Sequence, residues 1–177
     1  MKNERKGFTL IELLVVILII GVLAGIAIPQ YRKVKMKAEL SQMLVYMDAM
    51  KKSVKNYYIA NRSYPTDITV LDAGLEQYAI ELGASKWIAN GSSKYRVAFF
   101  KGDIECMVHP EVIACINKNF YVLRFHDHIS EQYRGQTRCT YSWRSKNKEL
   151  SESICKSIPP GTVAGTYNTG YWYLIGN

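Results

Sequence analysis

The chain has 177 residues, of which 48% are apolar and 21% charged, and its formal net charge is +8. This length allows one globular domain, and no repeat or low-complexity tract is visible. The positive charge would suit DNA or an anionic surface, but the sequence has no run of five like charges, which favours an ordinary solvated surface.

A basic leader, residues 1–7, precedes an apolar run from Phe8 to Ile28. As a helix this run is about 30 Å long, enough to cross a bilayer core. The leader predicts a cytoplasmic N-terminus and a single membrane pass. Glu12 is the only charged residue of the run. A carboxylate there is costly, so it indicates a function and a partner. An ordinary secretory signal or an uncleaved anchor would leave Glu12 unexplained.

The residues Gly7-Phe8-Thr9-Leu10-Ile11-Glu12 resemble the processing site of type IV pilins and of the related pseudopilins of type II secretion. The resemblance is strong over about the first 30 residues of the chain. It implies that a prepilin peptidase cleaves between Gly7 and Phe8 and that the new N-terminal Phe8 is methylated. It also implies that Glu12 meets the N-terminal ammonium group of a neighbouring subunit.

The helix continues beyond the apolar run through a second, amphipathic segment, residues 29–61. Apolar residues at alternating steps of four and three predict one face that packs on a sheet: Met36, Leu40, Met43, Met47, Met50, Val54 and Tyr57. Lys35 with Glu39 and Asp48 with Lys52 have the spacing of helical ion pairs.

Three small or helix-breaking residues are candidates for assembly. Gly21 and Gly25 form a G-x-x-x-G pair, whose small residues let helices approach closely in lipid. Pro29 lacks a backbone donor and predicts a kink or a local loss of helicity. The resemblance implies that this region packs subunits in a filament core.

Residues 62–177 predict a small antiparallel sheet domain, so the fold class is α+β: a long N-terminal transmembrane-plus-amphipathic helix packed on a sheet. The predicted strands are Tyr95–Phe100, Ile104–Val108, Phe120–Phe125, Arg138–Trp143 and Tyr171–Ile175. Short helices are predicted over Leu75–Leu82 and Asn147–Ile158. The C-terminal segment is expected to wrap the surface.

The four cysteines indicate two disulfides, since their number is even and the domain is expected outside the cytoplasm. Three connectivities are possible. The preferred pairs are Cys106 with Cys115 and Cys139 with Cys155, and the second resembles the C-terminal disulfide loop of many pilins.

No catalytic or cofactor fingerprint is found, so the chain is not expected to be an enzyme or to bind a cofactor. His126, His128 and Glu131 have metal-ligand spacing, but solvated surface residues are the favoured interpretation. His109 has no obvious partner. Two further groups would suit DNA binding. A solvated loop explains the basic group more simply: Arg138, Arg144, Lys146 and Lys148. Packing and intersubunit contact explain the aromatic group more simply: Tyr167, Tyr171, Trp172 and Tyr173.

The favoured function is therefore structural. The chain is expected to be a pilin that is anchored in the inner membrane before assembly and then polymerises into a surface filament. Its expected partners are other pilin subunits, the prepilin peptidase, the pilus assembly platform and the membrane. Two alternatives remain, a pseudopilin of type II secretion and a membrane-anchored ligand- or DNA-binding domain that never polymerises.

Overall fold

The structure, a computed structural model, describes residues 7–71, 75, 79–87, 94–127, 132–167 and 170–176. For residues 79–87, 94–96 and 167 it describes the backbone alone. It forms two compact units, Met1–Lys35 and Met36–Asn177. The elements are α1 (Leu10–Asn61), a 3-10 helix (Ile68–Val70), β1 (Ala79–Trp87), β2 (Lys94–Phe100), β3 (Ile104–Val108), β4 (Val112–Ile116), β5 (Phe120–Phe125), β6 (Thr137–Tyr141), α2 (Lys148–Lys156), β7 (Pro160–Tyr167) and β8 (Gly170–Ile175).

The first helix, α1, is a single element of 52 residues that ends at Asn61, where the sequence predicts its end. It continues through Pro29, with helical residues on both sides, so the predicted local loss of helicity does not occur. A proline removes one hydrogen bond, and the bonds of the flanking residues still hold the turns together.

The C-terminal part of α1 buries the predicted methionine stripe. Leu40, Met43, Met47 and Met50 are fully buried, and they belong to one apolar core with residues of the sheet. Each buried side chain of this size stabilises the fold by about 1.5–3 kcal/mol relative to its exposed state. The stripe is therefore core, as the periodicity predicts.

Two carboxylates of α1 bind residues of β5 or of the turn before it rather than the helical lysines expected from the sequence. Glu39 accepts a hydrogen bond from Asn119 Nδ2 at 2.6 Å and lies 3.6 Å from Lys118 Nζ. Asp48 pairs with the buried Arg124 of β5. These contacts join the helix to the sheet, and the expected local pairing is wrong for both carboxylates.

The sheet has eight strands in the order β1-β2-β3-β4-β5-β6-β8-β7, and every described pairing is antiparallel. All five predicted strands are present, with boundaries that differ by at most two residues. Strand β5 alternates between buried and half-buried residues, as expected for a strand with one face on the core.

Three strands were not predicted. The expected helix over Leu75–Leu82 is wrong in its second half, because β1 begins at Ala79 and pairs with β2. Strand β4 forms a hairpin with β3 across His109 and Pro110. Strand β7, part of the C-terminal segment expected to wrap the surface, lies at the sheet edge and begins with a proline, a position that needs no ladder donor.

Candidate processing and assembly site

The start of α1 carries a reciprocal hydrogen-bonded cap between Thr9 and Glu12. The Thr9 backbone N–H and its hydroxyl both donate to Glu12 Oε2 at 2.8 Å, and the Glu12 N–H donates to Thr9 Oγ1 at 3.3 Å. The Thr9 carbonyl accepts the first helical bond, from Leu13 N–H at 3.3 Å. This is a capping box, which satisfies otherwise unpaired donors of the first turn. Its signal, a threonine three residues before a glutamate, was present in the sequence and was missed.

The bond between Gly7 and Phe8 lies outside the helix. Residues 7–9 have no regular secondary structure, and the Phe8 side chain is 86% exposed. The junction is therefore exposed and does not belong to α1.

The N-terminal part of α1 exposes its apolar side chains. Every large apolar side chain from Leu10 to Ile28 is at least 45% exposed. Among the described residues, α1 is the one helix that is long and apolar enough to cross a membrane. Such a surface, far larger than the apolar patches of soluble monomers, requires lipid or another protein around it.

Gly21 and Gly25 face open space in the monomer. A Cβ atom placed on either residue meets no atom of the described residues within 4 Å. A shallow apolar depression lies over Gly21, lined by Leu14, Ile17, Leu18 and Val22. The fold of the monomer therefore does not require these glycines, and they are free to serve close packing against another helix.

The two disulfides of the structure join the pairs preferred from the sequence. Cys106 and Cys115 are directly opposite on β3 and β4, with Cα atoms 4.1 Å apart. Cys139 on β6 is bound to Cys155 on α2, with Cα atoms 5.5 Å apart. All four are buried in the core. The second bond fastens α2 to the sheet and closes the C-terminal loop.

Of the four basic residues near this loop, Arg144, Lys146 and Lys148 are exposed, as expected of a solvated loop, and Arg138 is buried. Arg138 is buried, lies 4.6 Å from the Tyr133 ring centroid and donates to Gln136 Oε1. Burial lowers the pKa of Arg138, and the nearby Tyr133 opposes that shift. Arg144 pairs with Glu105 at 2.8 Å. Arg138 and Arg144 are therefore engaged within the fold, whereas Lys146 and Lys148 remain at the surface.

The C-terminal aromatic residues divide between core and surface. Tyr173 is buried, whereas Tyr171 is exposed; the side chain of Tyr167 lies outside the described ones. Trp172 contacts Tyr121, with ring centroids 5.3 Å apart, and the exposed Trp143 also contacts Tyr121, with ring centroids 5.5 Å apart. Packing, as expected, accounts for much of this group.

The histidines do not form the expected surface pair. His126 is buried, and its Nε2 lies 3.1 Å from the backbone carbonyl oxygen of His109. His128 and Glu131 lie outside the described residues. Within the described ranges, no three metal-ligating side chains come together.

Comparison with known proteins finds similarity in the N-terminal region. The family model described as the prokaryotic N-terminal methylation motif matches residues 2–28. The chain is 39% identical over 69 residues to the type IV major pilin protein PilE of Neisseria gonorrhoeae, which is 39% of this chain and 41% of that protein. It is 40% identical over 67 residues to the fimbrial protein EcpC of Eikenella corrodens, 38% of this chain and 44% of that protein. It is 48% identical over 52 residues to a fimbrial protein of Moraxella nonliquefaciens, 29% of this chain and 34% of that protein.

The chain thus spans less than half the length of these curated relatives. No solved structure matches it significantly.

Proposed function

We propose that this chain, whose N-terminal region is that of the type IV pilins, is a structural subunit of a type IV pilus or a similar filament. It is a precursor in the inner membrane, with residues 1–7 in the cytoplasm and α1 crossing the membrane once. A prepilin peptidase cuts between Gly7 and Phe8 and methylates Phe8. The assembly platform then adds the subunit to a filament at the cell surface.

The observation that carries this proposal is the exposed apolar half of α1 with a single capped carboxylate at its start. Lipid covers this surface before assembly, and neighbouring helices cover it in the filament. Helices that leave the membrane must exchange lipid for contact with one another, because their apolar side chains would otherwise be exposed to water.

The position of Glu12 supports a role in the order of assembly. Cleavage creates an ammonium group at Phe8, one turn from Glu12. In the filament core an ammonium group without a counter-ion is strongly destabilising, whereas a paired one is not. Glu12 of one subunit therefore aligns the next subunit through the ammonium of its Phe8. The capping box holds the carboxylate at the helix start, where this contact is made.

The experiment is to purify filaments sheared from cells and to identify their subunit. Intact mass should show the loss of residues 1–7 and the gain of one methyl group, and antibodies to the globular unit should label the filaments in electron micrographs. Gly7→Val should leave uncut precursor in the membrane, because a branched side chain does not fit a site made for glycine.

Two outcomes would favour other functions. Processed protein that enters only short filaments below the cell surface would indicate a pseudopilin. Processed or unprocessed protein that stays monomeric in the membrane would contradict the filament proposal and favour an anchored binding domain.

A further inference from the structure

A pocket of about 230 Å³ opens between the last turns of α1 and the end of β5. All of its lining residues belong to the unit Met36–Asn177. Val54, almost fully buried, lines it on the helix side, and Phe125 lines it on the strand side. A pocket of this size suits a ligand smaller than a drug-sized molecule.

One wall of the pocket is a row of three rings. The ring centroids of Tyr58 and Tyr64 are 4.6 Å apart, and those of Tyr64 and His126 are 5.0 Å apart with nearly parallel planes. The contact of His126 Nε2 with the His109 carbonyl oxygen holds the inner ring in place. The Tyr58 side chain is 37% exposed, so the outer end of the row is open to a flat group from solvent.

Positive charge lies next to this wall, on the same helix as Tyr58. Lys51 and Lys55 lie one turn apart on α1, are both exposed, and form no ion pair with a described residue. Like charges at this spacing weaken a helix slightly. The pair of lysines therefore does not stabilise the fold, but it would stabilise an anion bound between the two ammonium groups.

The other charged groups of the lining leave an excess of positive charge. Arg124 is already paired with Asp48 and donates to Thr137 Oγ1 at 2.9 Å. Asp127, the one acidic residue of the lining, is exposed at the end of β5. Burial raises the pKa of Tyr64, with smaller contributions from Tyr58 and Asp127, so its hydroxyl stays protonated and able to donate at neutral pH.

We propose that this pocket binds a small anionic ligand that carries a flat ring. The ring lies against the Tyr58–Tyr64 wall, and a phosphate or carboxylate group meets the ammonium groups of Lys51 and Lys55. The site is independent of processing and of the N-terminal half of α1, so it stands whether or not the chain forms filaments.

The test is titration of the full chain in detergent micelles with phenyl phosphate, followed by calorimetry, with inorganic phosphate and phenol as the two halves of the probe. We expect phenyl phosphate to bind more tightly than either half. The double variant Lys51→Gln/Lys55→Gln should weaken phenyl phosphate binding about tenfold, because two charge-assisted contacts are lost. Tyr58→Leu should weaken binding of phenyl phosphate and leave that of inorganic phosphate unchanged.

The matched control is Lys33→Gln/Lys37→Gln, which removes two lysines of the same helix at the same spacing, away from the pocket. This variant should bind phenyl phosphate as the wild type does. Equal weakening in both double variants would show general attraction to a basic protein and would overturn the proposal. The absence of saturable binding to the wild type, or equal affinity for phenyl phosphate and inorganic phosphate, would do so as well.

Discussion

Glu12 has one structural role and one proposed role, and the two can be separated experimentally. Within the chain it completes the capping box with Thr9. In the proposed filament it also supplies the counter-ion of a neighbouring ammonium group. A cap needs only a hydrogen-bond acceptor, which glutamine also provides, whereas the counter-ion needs the charge.

Substitutions at these two residues should therefore differ in their effect on assembly. Glu12→Val should lower the ratio of sheared filament protein to membrane protein at least about tenfold, since an unpaired buried ammonium costs several kcal/mol. Glu12→Gln should be intermediate. Thr9→Val should cost about 1 kcal/mol at the helix start and leave the filament ratio near that of the wild type. If Thr9→Val lowers the ratio as much as Glu12→Val, the cap alone explains Glu12.

Gly170 is a second residue whose role is set by its immediate neighbours. A Cβ atom on Gly170 would lie 2.5 Å from Tyr141 Cε1 and 3.1 Å from Glu152 Oε1. The Tyr141 side chain is buried, and Glu152 Oε1 accepts a hydrogen bond from the Tyr171 N–H at 2.9 Å. Neither neighbour can move without loss of packing or of this bond.

Gly170→Ala should therefore destabilise the fold by about 1–3 kcal/mol, as for other overpacked sites. The control is Gly165→Ala, since a Cβ atom there meets nothing closer than Arg138 Nη1 at 4.0 Å. Thermal unfolding followed by circular dichroism should show a lower midpoint for the first variant only. Equal midpoints for both variants would mean that the contact with Tyr141 relaxes easily.

At the scale of elements, α2 is held to the sheet at several points. Its first turn is capped by Asn147, whose Oδ1 accepts from the Leu150 N–H at 3.1 Å, and its Ile154 is fully buried. Glu152 reaches β8, and the disulfide joins Cys155 to Cys139 on β6. A helix of nine residues is too short to be stable alone, so these contacts maintain it.

Removal of the α2 disulfide should loosen this helix before the rest of the domain. By loop-entropy arithmetic, Cys139→Ser/Cys155→Ser should cost about 3 kcal/mol. Amide exchange of α2 should accelerate more than that of β3 and β4. The control is Cys106→Ser/Cys115→Ser, which removes a bond between two strands that remain hydrogen-bonded to each other. Amide exchange in α2 should be slower in this control than in Cys139→Ser/Cys155→Ser. If thiol labelling of the denatured, non-reduced wild type finds a free cysteine, the premise of two disulfides is wrong.

At the scale of the whole molecule, the chain combines a unit with a core and a segment without one. The unit Met36–Asn177 contains the apolar core, whereas the apolar side chains before Lys35 are exposed. Residues in the first group control folding of the subunit. Residues in the second group, including Gly21 and Gly25, have consequences only where lipid or another chain is present.

Gly21→Leu/Gly25→Leu should therefore leave the membrane-bound monomer intact and impair assembly. The monomer has space for both leucine side chains. Two helices packed closely over this face leave no such space. We expect an unchanged melting temperature in micelles and at least a severalfold lower filament ratio. The matched control is Ala24→Leu on the same helix, which should reduce filaments less. Normal filaments from the glycine variant would exclude these residues from the subunit contact.

The sequence by itself determined the elements whose signals are local. The apolar run, the methionine stripe and the end of α1 follow from composition and helical spacing, and a helix makes its hydrogen bonds within its own segment. The motif at Gly7-Phe8 is likewise a contiguous pattern, and the even cysteine count suggested the two disulfides without deciding their pairing.

Only the tertiary structure decided which other segments became strands and which polar residues were engaged. The segments Ala79–Trp87, Val112–Ile116 and Pro160–Tyr167 form strands because neighbouring strands accept their hydrogen bonds, and no residue within them specifies that partner. Likewise, His126 was expected at the surface, and the fold buries it against Tyr64. The pocket beside it combines residues of α1 with residues of β5, far apart in the sequence, so it exists only once the helix has packed on the sheet.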